Sequence, residues 1–398
     1  MTKTFPYAIA VLCLSLAGQG CSDLYPKKIE AQVPGVVGIG VELAQLQKEA
    51  LLINTEVINI HEHIALDTIT RQLTDPTNLQ KGINTDAQLC NLAKDTPEQG
   101  IFPCIPEDAQ EKFSAFLARH RVDLAGIAHG GTIEKASLFA SELDATKPDY
   151  HENPYFYLLR GALAGIIKAD PDKSLSFFYT GLVENPRHPN LNFYTALFQS
   201  EAARYGYLIP IDTLETALTT VKMAEALVKR KMPAIPVGSE ANILKDLLNK
   251  LETREALYLN MIAYSFALEG SKRWKAISER YIETALSITC GKIRWQHYGI
   301  CGYYDKSQAP EIAESEELYV AVLDTKGYVK YRFADSEEEV KQAKKILLDA
   351  MEKSVLFPQP QNVRLINAHL REVELKLRQI EVERQYGEVQ KILHKTVQ

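Results

Sequence analysis

The chain has 398 residues, of which 46% are hydrophobic and 24% charged, and its formal net charge is −6. At about 150 residues per domain, this length predicts two to three units. The composition excludes a disordered, collagen-like or purely coiled-coil protein. The acidic balance argues against nucleic-acid binding, which needs a basic surface to meet the phosphates. Six cysteines are too few to hold so long a chain together, so a hydrophobic core must do so.

The N-terminus has the layout of a signal peptide. Lys3 supplies positive charge, the run Tyr7–Ala17 is apolar, and small residues follow it. As a helix this run would span about 16 Å, roughly half the thickness of the hydrocarbon layer of a membrane. The segment therefore favours cleavage over insertion, with an uncleaved anchor as the alternative.

The junction Gly18-Gln19-Gly20-Cys21 resembles the lipobox of bacterial lipoproteins. In that family the cysteine after the cleavage point receives lipid and becomes the first residue, so the resemblance implies palmitate on Cys21. Ser22 resembles the residue that directs such proteins to the outer membrane, which implies the periplasmic face of that membrane as the location. Ordinary cleavage, giving a soluble periplasmic protein, is the alternative.

Four cysteines remain once those near the N-terminus are set aside, and they form two local pairs. We predict one disulfide between Cys90 and Cys104 and another between Cys290 and Cys301, because short loops close easily and the periplasm is oxidising. A zinc site built from the four cysteines is the alternative. Zinc ligands, however, usually occur as cysteine pairs two to four residues apart, and neither pair has that spacing.

Periodicity and composition divide the chain into six segments. These are a signal peptide at 1–20, a lipid-anchored linker at 21–40, a long helix with a disulfide-stapled loop at 41–106, a helical-repeat domain at 107–290, a disulfide loop with a β-hairpin at 291–335, and C-terminal helices at 336–398. The first and last long helices both carry apolar residues at alternating spacings of three and four. We therefore expect the two ends of the chain to pack together.

Two stretches of the helical region share one spacing of small and apolar residues. The first comprises Ala136, Ala140, Leu143 and Pro148, and 38 residues later the second comprises Ser174, Phe178, Gly181 and Pro186. This spacing resembles the second helix and terminal proline of the tetratricopeptide repeat, a unit of about 34 residues. The resemblance implies an α-solenoid of stacked helical hairpins with a peptide-binding groove.

Residues 319–333 alternate between apolar and polar side chains around the sequence Asp324-Thr325-Lys326-Gly327. Period-two alternation on both sides of such a turn predicts a β-hairpin. The predicted fold class is therefore mainly α, with stacked helical hairpins flanked by long N- and C-terminal helices and one small β-hairpin.

Aromatic residues are concentrated in residues 155–207, which contain 11 of the 34 in the chain. The runs YFY and FFY cover more than one face of a helix, so a single core stripe cannot hold every ring. The rings either fill a wide core between stacked hairpins or line a surface for a partner. On the second interpretation, Tyr157, Phe178 and Tyr194 are the candidate partner-binding residues.

The sequence contains no familiar catalytic or metal-binding signature. It lacks a nucleophile elbow, a phosphate-binding loop and an H-E-x-x-H motif. His61 and His63 lie two positions apart in the predicted first helix, so they point away from each other and cannot share an ion. We predict no enzyme activity, no cofactor and no metal site.

The leading functional interpretation is a lipid-anchored periplasmic helical-repeat scaffold that binds another cell-envelope protein. A solute- or lipid-binding accessory protein of an envelope transport system is the second interpretation, and a closed aromatic cavity would favour it. A cell-wall or glycan-acting enzyme is the third, and paired carboxylates converging in a cleft would favour it.

Overall fold

The computed structural model describes most of the chain beyond the N-terminal segment. The described residues are 42, 44–50, 52, 73–102, 104–128, 133–145, 152–168, 171–202, 211–234, 238–292, 310–356 and 360–397. Contacts divide the chain into a large unit, Thr55–Val373, and a small unit formed by Met1–Asn54 together with Glu374–Gln398. Among the described residues, no helix combines the length and hydropathy needed to cross a bilayer.

The described chain is almost entirely helical. Helix α1 covers residues 44–50, and the following helices are α2 (Pro76–Ala93), α3 (Glu107–Arg119), α4 (Arg121–Ala128), α5 (Ile133–Ala145), α6 (Pro154–Lys168), α7 (Pro171–Glu184), α8 (Pro189–Ala202), α9 (Ile211–Lys231), α10 (Ser239–Glu269), α11 (Lys275–Lys292), α12 (Pro310–Arg332), α13 (Glu337–Leu356) and α14 (Pro360–Val397). Short 3-10 turns lie at Pro97–Gly100, Met232–Ala234 and Lys272–Trp274. A mainly α fold is thus confirmed.

Local sequence signals explain where several helices begin. Six of them start with proline, whose missing N–H would have no intrahelical partner at that position. Asp75 caps α2 by accepting from the backbone N–H of Thr77 at 2.8 Å. Ser336 caps α13 by accepting from the backbone N–H of Glu339 at 3.2 Å, which confirms the helix start predicted there.

In the large unit, successive helices pack on one another from α5 to α13. The longest of these, α10, contacts α9, α11 and α12, so its apolar residues are buried on several sides. Repeat-spaced positions such as Ala136 and Leu143 on α5 and Ser174 on α7 are buried. The result is an all-α fold of helical-repeat type.

Two glycines allow α6 and α7 to approach closely. A Cβ atom added to Gly181 would lie 2.9 Å from the Cβ of Tyr157, and one added to Gly161 would clash with the ring of Phe178. Each helix thus presents one aromatic side chain to a glycine on the other. The pair of contacts fixes the register of the two helices, because a shift by one residue would put a side chain where each ring lies.

The predicted β-hairpin at residues 319–333 is wrong, because most of this stretch belongs to α12. Gly327, expected at the turn, instead lies where α12 meets α13, and a Cβ added to it would be 2.6 Å from Cγ of Leu347. Asp324, also expected at the turn, binds the ring of His369 on α14. No strand occurs among the described residues.

The reason for this error is that α12 is buried on several sides. It packs against α10, α11 and α13, so apolar residues on more than one face are covered. A helix with such a broad apolar surface loses the period of 3.6 that distinguishes it from a strand. The buried apolar residues among the described side chains of α12 are Leu318, Tyr319, Val320, Val322, Leu323, Tyr328 and Val329.

The small unit contains residues near both ends of the chain. Arg378 donates from Nη2 to Oε1 of Glu42 at 3.1 Å, and Leu46 and Val382 are buried. The expected packing of the two ends is confirmed for these residues. The predicted linker at 21–40 and the part of the predicted first helix that carries His61 and His63 lie outside the described residues.

Candidate functional site

A hydrogen-bonded polar cluster connects α2 with α6 and α8. Oδ2 of Asp86, on α2, accepts from the hydroxyl of Tyr155 at 2.8 Å and lies 2.8 Å from Nε2 of His188. Nδ2 of Asn190 donates to the Tyr155 hydroxyl at 3.3 Å. Gly82, one turn before Asp86, makes room for the tyrosine, since a Cβ added there would lie 2.5 Å from the ring.

His188 is the N-terminal cap of α8. Its Nδ1 accepts from the backbone N–H of Leu191 at 3.2 Å, and its carbonyl oxygen accepts from that of Asn192 at 3.1 Å. Because Nδ1 accepts a hydrogen bond, the ring proton must lie on Nε2, which donates a hydrogen bond to Asp86. The imidazole is therefore neutral with both nitrogens occupied, so it holds α8 in place and cannot act as a general base.

The environment keeps Asp86 ionised and Tyr155 protonated. Burial raises the pKa of the Asp86 carboxyl, but the hydrogen bonds that it accepts from His188 and Tyr155 and the positive charge of Arg254 hold that pKa below its ordinary value. Burial and the neighbouring Asp86 raise the pKa of Tyr155 well above its ordinary value. Arg254, on α10, contributes its charge to the cluster, and its Nη1 is buried with no hydrogen-bond partner in the described chain.

A cavity of about 280 Å³ lies beside this cluster. It lies between residues 100–102 and Ile105, which the Cys90–Cys104 disulfide ties to α2, and the turn 184–189 between α7 and α8, and it is partly open. Asp86, Asn185 and His188 provide polar lining, and Glu184 and Arg187 are exposed residues of the lining. The apolar lining is formed by Leu89, Ile101, Phe102, Ile105, Pro154, Pro186 and Pro189.

A second histidine–aspartate pair is sealed inside the large unit. Nδ1 of His369, on α14, lies 2.9 and 3.1 Å from the two carboxylate oxygens of Asp324, and its Nε2 lies 3.1 Å from the hydroxyl of Tyr264. The ring of Tyr328 stacks on the imidazole with 4.1 Å between centroids. The side chain of His369 is completely buried, so this group joins α10, α12 and α14 and has no access for a substrate.

Two glutamates meet where α9 packs on α10. Glu225 and Glu255 are only 6% and 8% exposed. Lys229 lies 3.2 Å from Glu225, and Lys222 lies 3.2 Å from Glu255. Burial, followed by the interaction with Glu255, raises the pKa of Glu225 to about 7. Neither glutamate lines the cavity beside Asp86, so this pair is placed between helices and not in a cleft suited to glycan cleavage.

The three candidate partner-binding residues have different positions. Tyr157 is 2% exposed and Phe178 is fully buried, both in the contact between α6 and α7. As core residues they are not available to a partner, so the structure favours the wide-core interpretation of these two rings. Tyr194 belongs to the polar region near Arg254 and Tyr258, where burial raises the pKa of its hydroxyl.

The predicted cysteine sites are described only in part. Cys90 and Cys104 form a disulfide, as predicted from their spacing. Cys290 lies in α11, whereas its predicted partner Cys301 and the predicted lipidation site Cys21 lie outside the described residues. Within the described chain, no group of three histidine, cysteine or carboxylate side chains is arranged to hold a metal ion.

No local sequence signal marks the cluster around Asp86. Its members lie on four helices, and Asp86 and His188 are 102 positions apart. The position of His188 directly before Pro189 marks a helix start, but histidine is not among the preferred capping residues. Comparison with known proteins adds no relative: no protein-family model matches the chain, and no curated protein shows significant similarity to it.

Proposed function

We propose that this chain is a lipid-anchored periplasmic protein of helical-repeat type that binds another cell-envelope protein. Two features support the compartment: the signal-peptide layout that ends at Cys21, and the disulfide between Cys90 and Cys104. Structural disulfides are typical of oxidising compartments and rare in the cytosol. The proposed binding of a partner is based on exposed apolar side chains of α7.

The observation that carries the binding role is an apolar pair on the exposed face of α7. Tyr179 is 45% exposed and Val183 is 79% exposed, although the adjacent Phe178 is fully buried. The two residues are four positions apart, so their side chains lie on the same face one turn from each other. Adjacent exposed tyrosine and valine side chains are suited to a protein partner, because aromatic residues provide much of the binding energy of interfaces.

The experiment is site-specific photo-crosslinking in intact cells. A photoreactive residue at Val183 should give one discrete adduct, whereas the same residue at Lys245, an exposed position on α10, should give none. Tyr179→Ala should abolish the adduct at Val183, since truncating an interface tyrosine commonly costs about 2 kcal/mol of binding. The melting temperature should fall only slightly, because Tyr179 is half exposed and loses a single hydrogen bond, the one its hydroxyl accepts from Gln199 on α8.

Two results would contradict the proposed binding. Equal adducts at both positions would indicate non-specific contact, and an adduct that survives Tyr179→Ala would place the partner elsewhere.

The lipid anchor is tested in the same cells. Labelled palmitate should enter the wild-type chain and be absent from Cys21→Ser. Label in that variant, or none in the wild type, would refute the lipid anchor.

The cavity beside Asp86 favours a second candidate function, a solute-binding accessory protein. Its size is close to the lower end of the range for small-molecule sites, and its lining is apolar with a few polar groups at one side. The lining is mainly aliphatic and proline-rich, in contrast to the closed aromatic cavity that would favour this function.

A further inference from the structure

We infer that the cavity beside Asp86 binds a small organic cation, with an ammonium group at the carboxylate and an apolar body against the walls. This inference develops the second candidate function. It does not depend on the apolar pair of α7, so the two tests can fail separately.

One oxygen of the Asp86 carboxylate accepts hydrogen bonds from neighbouring side chains, and the other accepts none from the described residues. Oδ2 receives both hydrogen bonds, from Tyr155 and from His188. Oδ1 accepts none from the described residues, and the side chain is 15% exposed and lines the cavity. A carboxylate oxygen has room for about two donors, so we assign the ammonium group of the ligand to Oδ1 of this lining residue.

The charge of the lining favours a cation. Asp86 and Glu184 are negative and Arg187 is positive, which leaves one negative charge at the cavity. His188 adds no positive charge, because its Nδ1 accepts a hydrogen bond from the backbone. Arg254 acts on Asp86 through its charge but does not line the cavity and is not hydrogen-bonded to the carboxylate.

The surroundings of Asp86 select an organic cation over a metal ion or an anion. Hard metal ions require six or more oxygen ligands, whereas most of this lining consists of aliphatic, proline and phenylalanine side chains. An anionic ligand would be repelled by the ionised carboxylate. A primary ammonium on a short apolar body matches both the free oxygen and the walls, and a cavity of about 280 Å³ limits it to a small molecule.

The test compares three probes of similar size: 2-phenylethylammonium, the neutral 2-phenylethanol and the anionic 3-phenylpropanoate. Calorimetry on the full-length protein at pH 7 should show that the ammonium binds at least about tenfold more tightly than either of the others, as expected for a hydrogen bond to a charged group. Equal affinity for the alcohol and the ammonium, or no binding of the ammonium, would overturn the inference.

Asp86→Asn removes the charge but keeps an oxygen that can accept from Tyr155 and His188. This variant should lose at least about tenfold in affinity for the ammonium and little for the alcohol. Asp246→Asn changes the net charge equally at a partly exposed site on α10, where Asp246 pairs with Lys250, and should bind the ammonium like the wild type. Unchanged binding in Asp86→Asn would refute the role of this carboxylate.

Methyl NMR provides a readout that does not depend on how well Asp86→Asn folds. Leu89, Ile101 and Ile105 line the cavity, and their methyl signals in the wild-type protein should shift on addition of the ammonium. Methyl groups elsewhere in the large unit should not shift. Shifts that spread over other methyl groups, or that leave these three unchanged, would place the ligand outside the cavity.

Discussion

His188 and His369 show how a second hydrogen bond decides the role of a histidine. Each ring contacts an aspartate, but the other nitrogen of His188 accepts from a backbone N–H, whereas that of His369 meets the hydroxyl of Tyr264. Both rings therefore have both nitrogens occupied. A histidine in this state orients its neighbours and has no free nitrogen for a reacting proton, so each of these pairs has a structural role.

Glu225 is expected to make the stability of the large unit depend on pH. The folded protein holds a proton on this carboxyl up to about pH 7, whereas the ordinary pKa of glutamate is 4.5. Between these values the folded state binds more protons than the unfolded state, so stability falls as pH rises. Glu225→Gln should weaken this fall and raise the melting temperature at pH 8 by about 2 to 4 °C, measured by thermal denaturation from pH 5 to pH 8.

The matched control is Glu240→Gln, which removes the same charge from an exposed position at the start of α10. This variant should keep the pH dependence of the wild type. The raised pKa of Glu225 would be disproved if its Gln variant and the wild type lost stability in parallel over the same pH range. Lys229 and Glu255, which face Glu225, are unchanged in the wild type and in both variants. They therefore contribute to the pH dependence of each protein compared.

At the residue scale, the sequence could predict the disulfide but not the polar cluster. The spacing of Cys90 and Cys104 is short, so the loop they close is visible in the sequence. Asp86, Tyr155 and Arg254 come together only after several helices have packed, and nothing in their local sequence differs from that of solvated residues. The excess of aromatic residues at 155–207 is visible in the sequence. Only the packing of the helices decides which of these rings lie in the core and which on the surface.

At the scale of single elements, Gly327 is expected to control the contact between α12 and α13. Gly327→Ala would place a methyl group against Leu347 and should destabilise the protein by about 1 to 3 kcal/mol, because a close-packed contact cannot absorb it without movement. We expect this loss of stability although alanine has a higher helix propensity than glycine. Urea denaturation would measure the loss.

Gly126→Ala is the control for that change. A Cβ added to Gly126, in α4, meets no atom within 4 Å, so only the helix propensity of alanine applies. This variant should gain up to about 1 kcal/mol. A result in which both variants gain stability would show that α12 and α13 tolerate the added methyl group.

The number of sides on which a helix is buried explains which elements could be predicted from the sequence and which could not. Helices with one apolar face, such as α13, keep a clear period and were predicted with the correct start at Ser336. Helix α12 is covered by α10, α11 and α13, so its pattern resembled alternating strands. Gly327 looked like a turn residue because a sequence does not distinguish a glycine needed for backbone conformation from one needed for close approach.

At the scale of the whole molecule, α2 differs from the helices that follow it. Helices α5 to α13 each pack on the next in sequence, whereas α2 forms its polar contacts with residues much further along the chain. Asp86 is 69 positions from Tyr155 and 102 from His188. The large unit therefore combines a chain of local contacts with one helix, α2, that makes distant contacts in addition to those with α3 and α4.

This difference implies an order of folding. Contacts between neighbouring helices form with little loss of chain entropy, whereas the contacts of α2 with Tyr155, His188 and α9 require long loops to close. In refolding followed by pulsed hydrogen exchange, amides of α2 should become protected after those of α6 to α10. Protection of α2 before or together with those helices would contradict this order.

Because a polypeptide is made from its N-terminus, α2 is synthesised before α6, α8, α9 and α10, and its docking is completed only after them. Arg254 follows Asp86 by 168 residues, which corresponds to about 10 to 30 s at ordinary rates of synthesis. Until α9 has been made, α2 lacks its contact with that helix, and the packing around its apolar side chains, such as Leu79 and Ile83, is incomplete. The growing chain would thus expose an apolar segment suited to recognition by a chaperone.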